Sequence, residues 1–200
     1  MKEDSLEISK YIQLAKKNQK EGRLKQANEI YKNLINKKIY TYELLISYGL
    51  FNKEINNLIV AKNLFTLAIK KYPLLIKSYI LLAEIFRIQN NFNNAYEILM
   101  NAKKVEKDNA DVDYNLSILF KTNKLYKEAL IHINNALNNS PKIDLYKILK
   151  ADILIDNFQN PEAEKVLGNL ILDKNSNLYF QKELLFSRIF INQKNYVEAE

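Results

Sequence analysis

Residues 110–143 read ADVDYNLSILFKTNKLYKEALIHINNALNNSPKI, and the spacings inside this stretch decide the fold. Ala129, Ile133 and Ala136 stand at i, i+4 and i+7, which places them on one helix face as a narrow stripe, one bulky side chain between two small ones. Ser117, another small residue, precedes Ala129 by twelve positions. Small residues on two consecutive helices let their backbones approach closely.

The pattern repeats. Ala27, Ala61, Ala95, Ala129 and Ala163 follow one another at intervals of 34 residues. Four positions after them come Tyr31, Phe65, Leu99, Ile133 and Leu167; seven after come Leu34, Ala68, Ala102, Ala136 and Leu170. Twelve before them stand Ala15, Gly49, Ala83, Ser117 and Ala151, all small. A preceding apolar set such as Tyr79, Leu82, Ala83 and Phe86 has helical spacing of its own, so each period predicts an antiparallel helix pair.

Composition agrees. Of 200 residues, 48% are apolar and 26% charged, enough to bury a core, so the chain is neither disordered nor fibrous. Three glycines are too few for sheets joined by hairpins or for a phosphate-cradling loop, and zero cysteines remove disulfides, thiol chemistry and Cys-ligated metals. Charges interrupt the residues after Met1, and no apolar run approaches the roughly 18 residues that span a bilayer, so a cytoplasmic protein without a membrane partner is expected.

These residues resemble the tetratricopeptide repeat (TPR), a 34-residue helix-turn-helix unit whose pattern is tracked here by Tyr114, Leu116, Ser117, Ala129, Ile133, Ala136 and Pro141. The resemblance implies an all-α, right-handed α-solenoid of antiparallel helix pairs, about five and a half units long. Residues 1–7 are a lead-in, five units occupy 8–41, 42–75, 76–109, 110–143 and 144–177, and 178–200 begin a sixth, truncated unit. In the fifth unit Lys147 and Lys150 replace large apolar residues, while Asn160 is expected to cap a helix that has Pro161 at its first position. After residue 177 the register slips by two, and Glu183, Phe186, Ser187, Phe190, Tyr196 and Ala199 restart it, Tyr196 and Ala199 on a second helix. The uncovered apolar face expected there reads as the N-terminal part of a longer protein.

In the family, positions 2, 5, 9 and 12 of each first helix line a concave groove that holds a peptide or helix. Carried over, they are Glu43, Ile46, Leu50 and Lys53 in the second unit and Lys77, Ile80, Glu84 and Arg87 in the third. The fourth offers Asp111, Tyr114, Ile118 and Lys121, and the fifth Leu145, Ile148, Asp152 and Ile155. Position 5 forms an apolar rail of Ile12, Ile46, Ile80, Tyr114 and Ile148; position 12 forms a basic rail of Lys53, Arg87 and Lys121. Together they suit an amphipathic or acidic protein segment, though the isoleucines equally fit packing between repeats and the cations a solvated helix face. No position 5 is basic, which argues against the carboxylate clamp that grips chaperone tails.

His132, the single histidine, lacks a second His or any Cys to complete a triad or metal site and reads as a helix-surface residue. Asp108, Asp111 and Asp113 read as helix-start carboxylates. No catalytic residue, metal ligand or cofactor site is expected, so these residues are not an enzyme on their own. The net charge of +7 lies in the first half and is carried almost entirely by lysine without interleaved stacking aromatics, which disfavours nucleic acid. The expected function is a protein-interaction scaffold binding a peptide or partner helix. The alternative is a substrate-recruiting arm of a larger glycosyltransferase, sulfotransferase or methyltransferase.

Overall fold

In a computed structural model, which describes residues 2–197 and the side chains of residues 6–193, all regular structure is helical. The helices are α1 (Lys2–Lys20), α2 (Leu24–Asn36), α3 (Tyr42–Glu54), α4 (Leu58–Lys71), α5 (Lys77–Ile88) and α6 (Phe92–Val105). They continue as α7 (Ala110–Thr122), α8 (Tyr126–Asn139), α9 (Asp144–Asp156), α10 (Asn160–Gly168) and α11 (Asn177–Val197). The even-numbered helices α2 to α10 begin 34 residues apart, from Leu24 to Asn160.

The turn inside each pair has the same geometry. Gly22, Asn56, Asn90, Lys124 and Phe158, again 34 apart, adopt left-handed φ values of 74°, 59°, 56°, 61° and 58°. Each closes the preceding helix with two backbone bonds, as where Phe158 N–H donates to Ile155 O (3.1 Å) and Gln159 N–H to Leu154 O (2.8 Å). This Schellman arrangement satisfies helix-end carbonyls and reverses the chain. Pro73 and Pro141 act at the other turn: Tyr72 and Ser140 before them are pushed out of the helical region, ending α4 and α8.

The chain forms two compact units, Met1–Ile98 and Leu99–Glu200. In the first, α1 packs on α2, α3 on α4 and α4 on α5. Its core holds Ala27, Tyr31, Ala61, Phe65 and Ala68 at under 2% exposure, the stripe read from the sequence. Gly49 is required there, because a Cβ at that position would fall 2.8 Å from Cδ1 and Cζ of the buried Phe65 ring. In the second unit α7 packs on α8, α8 on α9, α9 on α10, and α11 on both α9 and α10. Ala129, Ile133, Ala136, Ala163 and Leu167 are fully buried, and Ser117 resolves its polarity by donating to Ala129 O at 2.9 Å.

α1 begins at Lys2, since nothing in residues 2–7 breaks a helix that Ile8, Ile12 and Ala15 already orient. Three expectations need correction. Asn160 is not a cap: the left-handed Phe158 makes Gln159 the N-cap, and Ala163 N–H donates to Gln159 O, leaving Asn160 buried in the first turn with Oδ1 unpartnered. No turn separates Phe190 from Tyr196, because α11 runs unbroken to Val197. Ala199 lies outside the described residues. The third correction is His132. Its Nδ1–H donates to Asp113 Oδ1 at 2.8 Å, and its ring stacks on Phe120 at 5.3 Å.

Candidate functional site

Asp113, on the inner side of α7, is 1% exposed, because the helix start is capped instead by Asn109, whose side chain accepts from Val112 N–H. A buried carboxylate needs partners. Lys103 of α6 supplies two hydrogen bonds of 2.8 and 2.9 Å, and His132 of α8 a third. Burial pushes the Asp113 carboxyl up, but His132 and Lys103 outweigh it and hold it below its ordinary value. The Asp–His pair is therefore committed to joining three helices.

The first helices build an open cleft in each unit. In the first, α1, α3 and the start of α5 enclose about 660 Å³. Four expected groove residues line it: Glu43, Ile46, Leu50 and Lys77. Glu43 is held by Lys16 at 2.9 Å and Gln13 at 3.2 Å, while Ile46 and Leu50 form an apolar floor. Ile80 and Arg87 are half-buried and do not line this cleft. Lys53 turns to Glu84, 2.7 Å away, so two expected groove residues satisfy each other.

In the second unit α7, α9 and α11 enclose about 230 Å³. Tyr114 and Ile148 line it with Leu145, Leu149, Leu184 and Arg188. Tyr114 stacks on Tyr146 at 4.9 Å, and the Tyr146 hydroxyl donates to Asp111 at 2.5 Å; burial and then Asp111 raise that phenol strongly. Ile118 is half-buried beside this cleft's helix but does not line it. Lys121 bonds both Asp152 and Asp156 at 2.9 Å, and Arg188 reaches the same two carboxylates from α11. Burial lowers the Lys121 and Arg188 values, but the paired carboxylates outweigh it and raise both. Two of the three cations of the basic rail are thus neutralised within the chain.

Sequence reasoning missed these pairings, although a signal was present. Lys53 to Glu84 and Lys121 to Asp152 are both separated by 31 residues, position 12 of one repeat facing position 9 of the next. Such partly exposed bridges contribute at most about 1 kcal/mol each, so their main effect is to orient neighbouring first helices.

Helix pairs of this period, turn geometry and small-on-bulky packing define the tetratricopeptide-repeat fold, an all-α solenoid. The chain is similar in structure to a tetratricopeptide repeat protein of Parabacteroides merdae, with a TM-score of 0.79 and 15% identity over 94% of this chain and 73% of that one. A thermophilic TPR protein of Thermus thermophilus matches at 0.73 and 13% identity, covering 92% and 99%. MamA from Desulfovibrio magneticus matches at 0.65 and 12% identity, covering 80% and 91%. Neither a family model nor a curated protein matches the sequence. Among the described residues no helix is long and apolar enough to cross a membrane.

Proposed function

We propose that the chain is a protein-interaction scaffold that holds a peptide or partner helix against its first helices, with no chemistry of its own. The observation that supports this most is that the open cleft of each unit is walled by first helices and floored with apolar side chains: Ile46 and Leu50 in one, Leu145, Ile148 and Leu184 in the other. Apolar surface left open in a cleft gains free energy when a ligand's apolar side chains displace its water. The charged groups around it then set orientation and partner choice more than affinity.

A peptide-display screen against the full chain tests this. Enriched peptides should lose about tenfold or more in affinity with Leu50→Glu or Leu184→Glu, each of which puts a charge on the apolar floor of a cleft. Leu184 is 63% exposed, so its substitution leaves the fold intact. A screen that enriches no peptide, or peptides indifferent to both substitutions, would sink the proposal. Arg87→Glu with Lys121→Glu tests the basic rail separately: unchanged affinity would remove it from recognition.

A further inference from the structure

α11 is anchored on one side and bare on the other. Leu185 and Ile189 are buried, and Phe186 packs against the same core of the second unit. Arg188 reaches Asp152 and Asp156, Lys182 donates to Leu170 O at 2.8 Å and Gln193 to Glu164 at 2.9 Å, which fixes the rotation of the helix about its axis. The opposite face is thereby held outward, with Phe180, Leu184, Phe190 and Ile191 62%, 63%, 68% and 56% exposed. Among the described residues α7 exposes no large apolar side chain and α9 only Leu145.

These four side chains leave about 450 Å² of apolar surface open, the size of patch that marks an interaction site. The sequence of the stripe indicates what covers it. Phe180, Leu184, Ser187 and Ile191 are spaced by four, three and four residues, the seam of a two-helix coiled coil. Laid against itself in reverse, the seam sets Phe180 on Ile191 and Leu184 on Ser187, a bulky side chain on a small one, so it is complementary to its own copy about a two-fold axis. A parallel alignment puts Ser187 on Ser187 and leaves a gap. Charge points the same way. Residues 101–200 carry 14 basic and 14 acidic side chains, Arg188 beside the seam is already paired, and among the described residues Glu183 is the only ionised side chain on the bare face. A strongly acidic or basic partner finds no opposite charge there, and a second copy meets little repulsion.

We propose that α11 is a self-association helix: the α11 of a second copy packs antiparallel across Phe180, Leu184, Ser187 and Ile191, about a two-fold axis midway between Leu184 and Ser187, with Phe190 at the margin. The pair buries about 900 Å² of apolar surface before its polar rim is counted, close to the roughly 1,000 Å² at which a specific interface begins. The dimer accordingly forms in the micromolar range, at about 1–100 µM. This goes beyond the scaffold reading, because the partner is the chain itself and only Leu184 of the seam also lines the second unit's cleft.

Sedimentation velocity of the full chain from about 1 to 200 µM tests this. The sedimentation coefficient should rise with concentration to that of a dimer and change little with salt, because the seam is apolar. Phe180→Glu with Ile191→Glu should weaken association about tenfold or more and leave helical circular dichroism unchanged, since both side chains are more than half exposed. Neither residue lines the second unit's cleft, so display-selected peptides should still bind this variant, which separates the inference from the scaffold reading. The chain has no cysteine, so Phe180→Cys chains mixed with Ile191→Cys chains should form a disulfide-linked dimer on mild oxidation, and neither variant should do so alone. A wild-type chain that stays monomeric throughout, or a dimer untouched by the two glutamates, overturns the inference. Cross-linking within either cysteine variant alone refutes the antiparallel register, and a monomer whose selected peptides require Phe180 and Ile191 gives the face to another protein and refutes the self-association.

Discussion

Phe158→Gly should make the protein more stable although it deletes a large apolar side chain. Phe158 holds φ at 58° in the turn between α9 and α10, where an L-residue costs roughly 1–2 kcal/mol because Cβ crowds the backbone. Its side chain is 73% exposed, so little burial is lost. Glycine relieves the strain but loses about 0.5–1 kcal/mol through its freer unfolded chain. The net gain is about 0.5–1 kcal/mol, or about 1–4 °C in a chain of this size. Gly22→Ala is the mirror test: φ is 74° and a new Cβ meets nothing within 4 Å, so the roughly 1 kcal/mol loss is purely conformational. Thermal and urea melts followed by circular dichroism measure both. Hydrogen exchange at the two turns localises the effect, since a repeat array need not unfold in one step. Destabilisation by Phe158→Gly, or a neutral Gly22→Ala, would refute the claim that backbone strain governs these turns.

Gly49→Ala gains about 1 kcal/mol of helix propensity but drives a methyl into the Phe65 ring, an overpacking cost of about 1–3 kcal/mol. A lower melting point is expected, with Phe65→Leu in the same chain restoring most of it; a Gly49→Ala variant as stable as wild type contradicts the close approach. Asp113, ionised and paired when folded, adds stability that is complete above its unfolded value near 3.8 and is lost as pH falls below that toward its depressed folded value. Asp113→Asn should therefore melt lower than wild type at neutral pH, with the gap narrowing on acidification below about pH 4; a gap independent of pH would show that the carboxylate charge contributes nothing.

The repeat was legible because it is a local, periodic property. Small and bulky residues 34 apart specify which helix faces meet, and Ala61, Phe65 and Ala68 or Ala129, Ile133 and Ala136 are buried where the pattern places them. The recurring left-handed turn was not legible, because Gly22, Asn56, Asn90, Lys124 and Phe158 share a backbone conformation and no side-chain chemistry. The groove positions were legible only as places on a helix. Glu43, Ile46, Leu50 and Lys77 come to one cleft, and Tyr114 and Ile148 to another, whereas Lys53, Glu84 and Lys121 are drawn into ion pairs.

By itself, then, the order of residues determined the period, the helix pairs and the buried stripe, since each depends on neighbours within a turn or two of helix. Tertiary structure alone decided which charges remain available, because pairing depends on side chains roughly a whole repeat apart reaching the same point in space. It turned His132 inward to a buried carboxylate, spent two cations of an apparent basic rail on the chain's own aspartates and glutamate, and left the Tyr31 hydroxyl without a partner at the wall of a cleft.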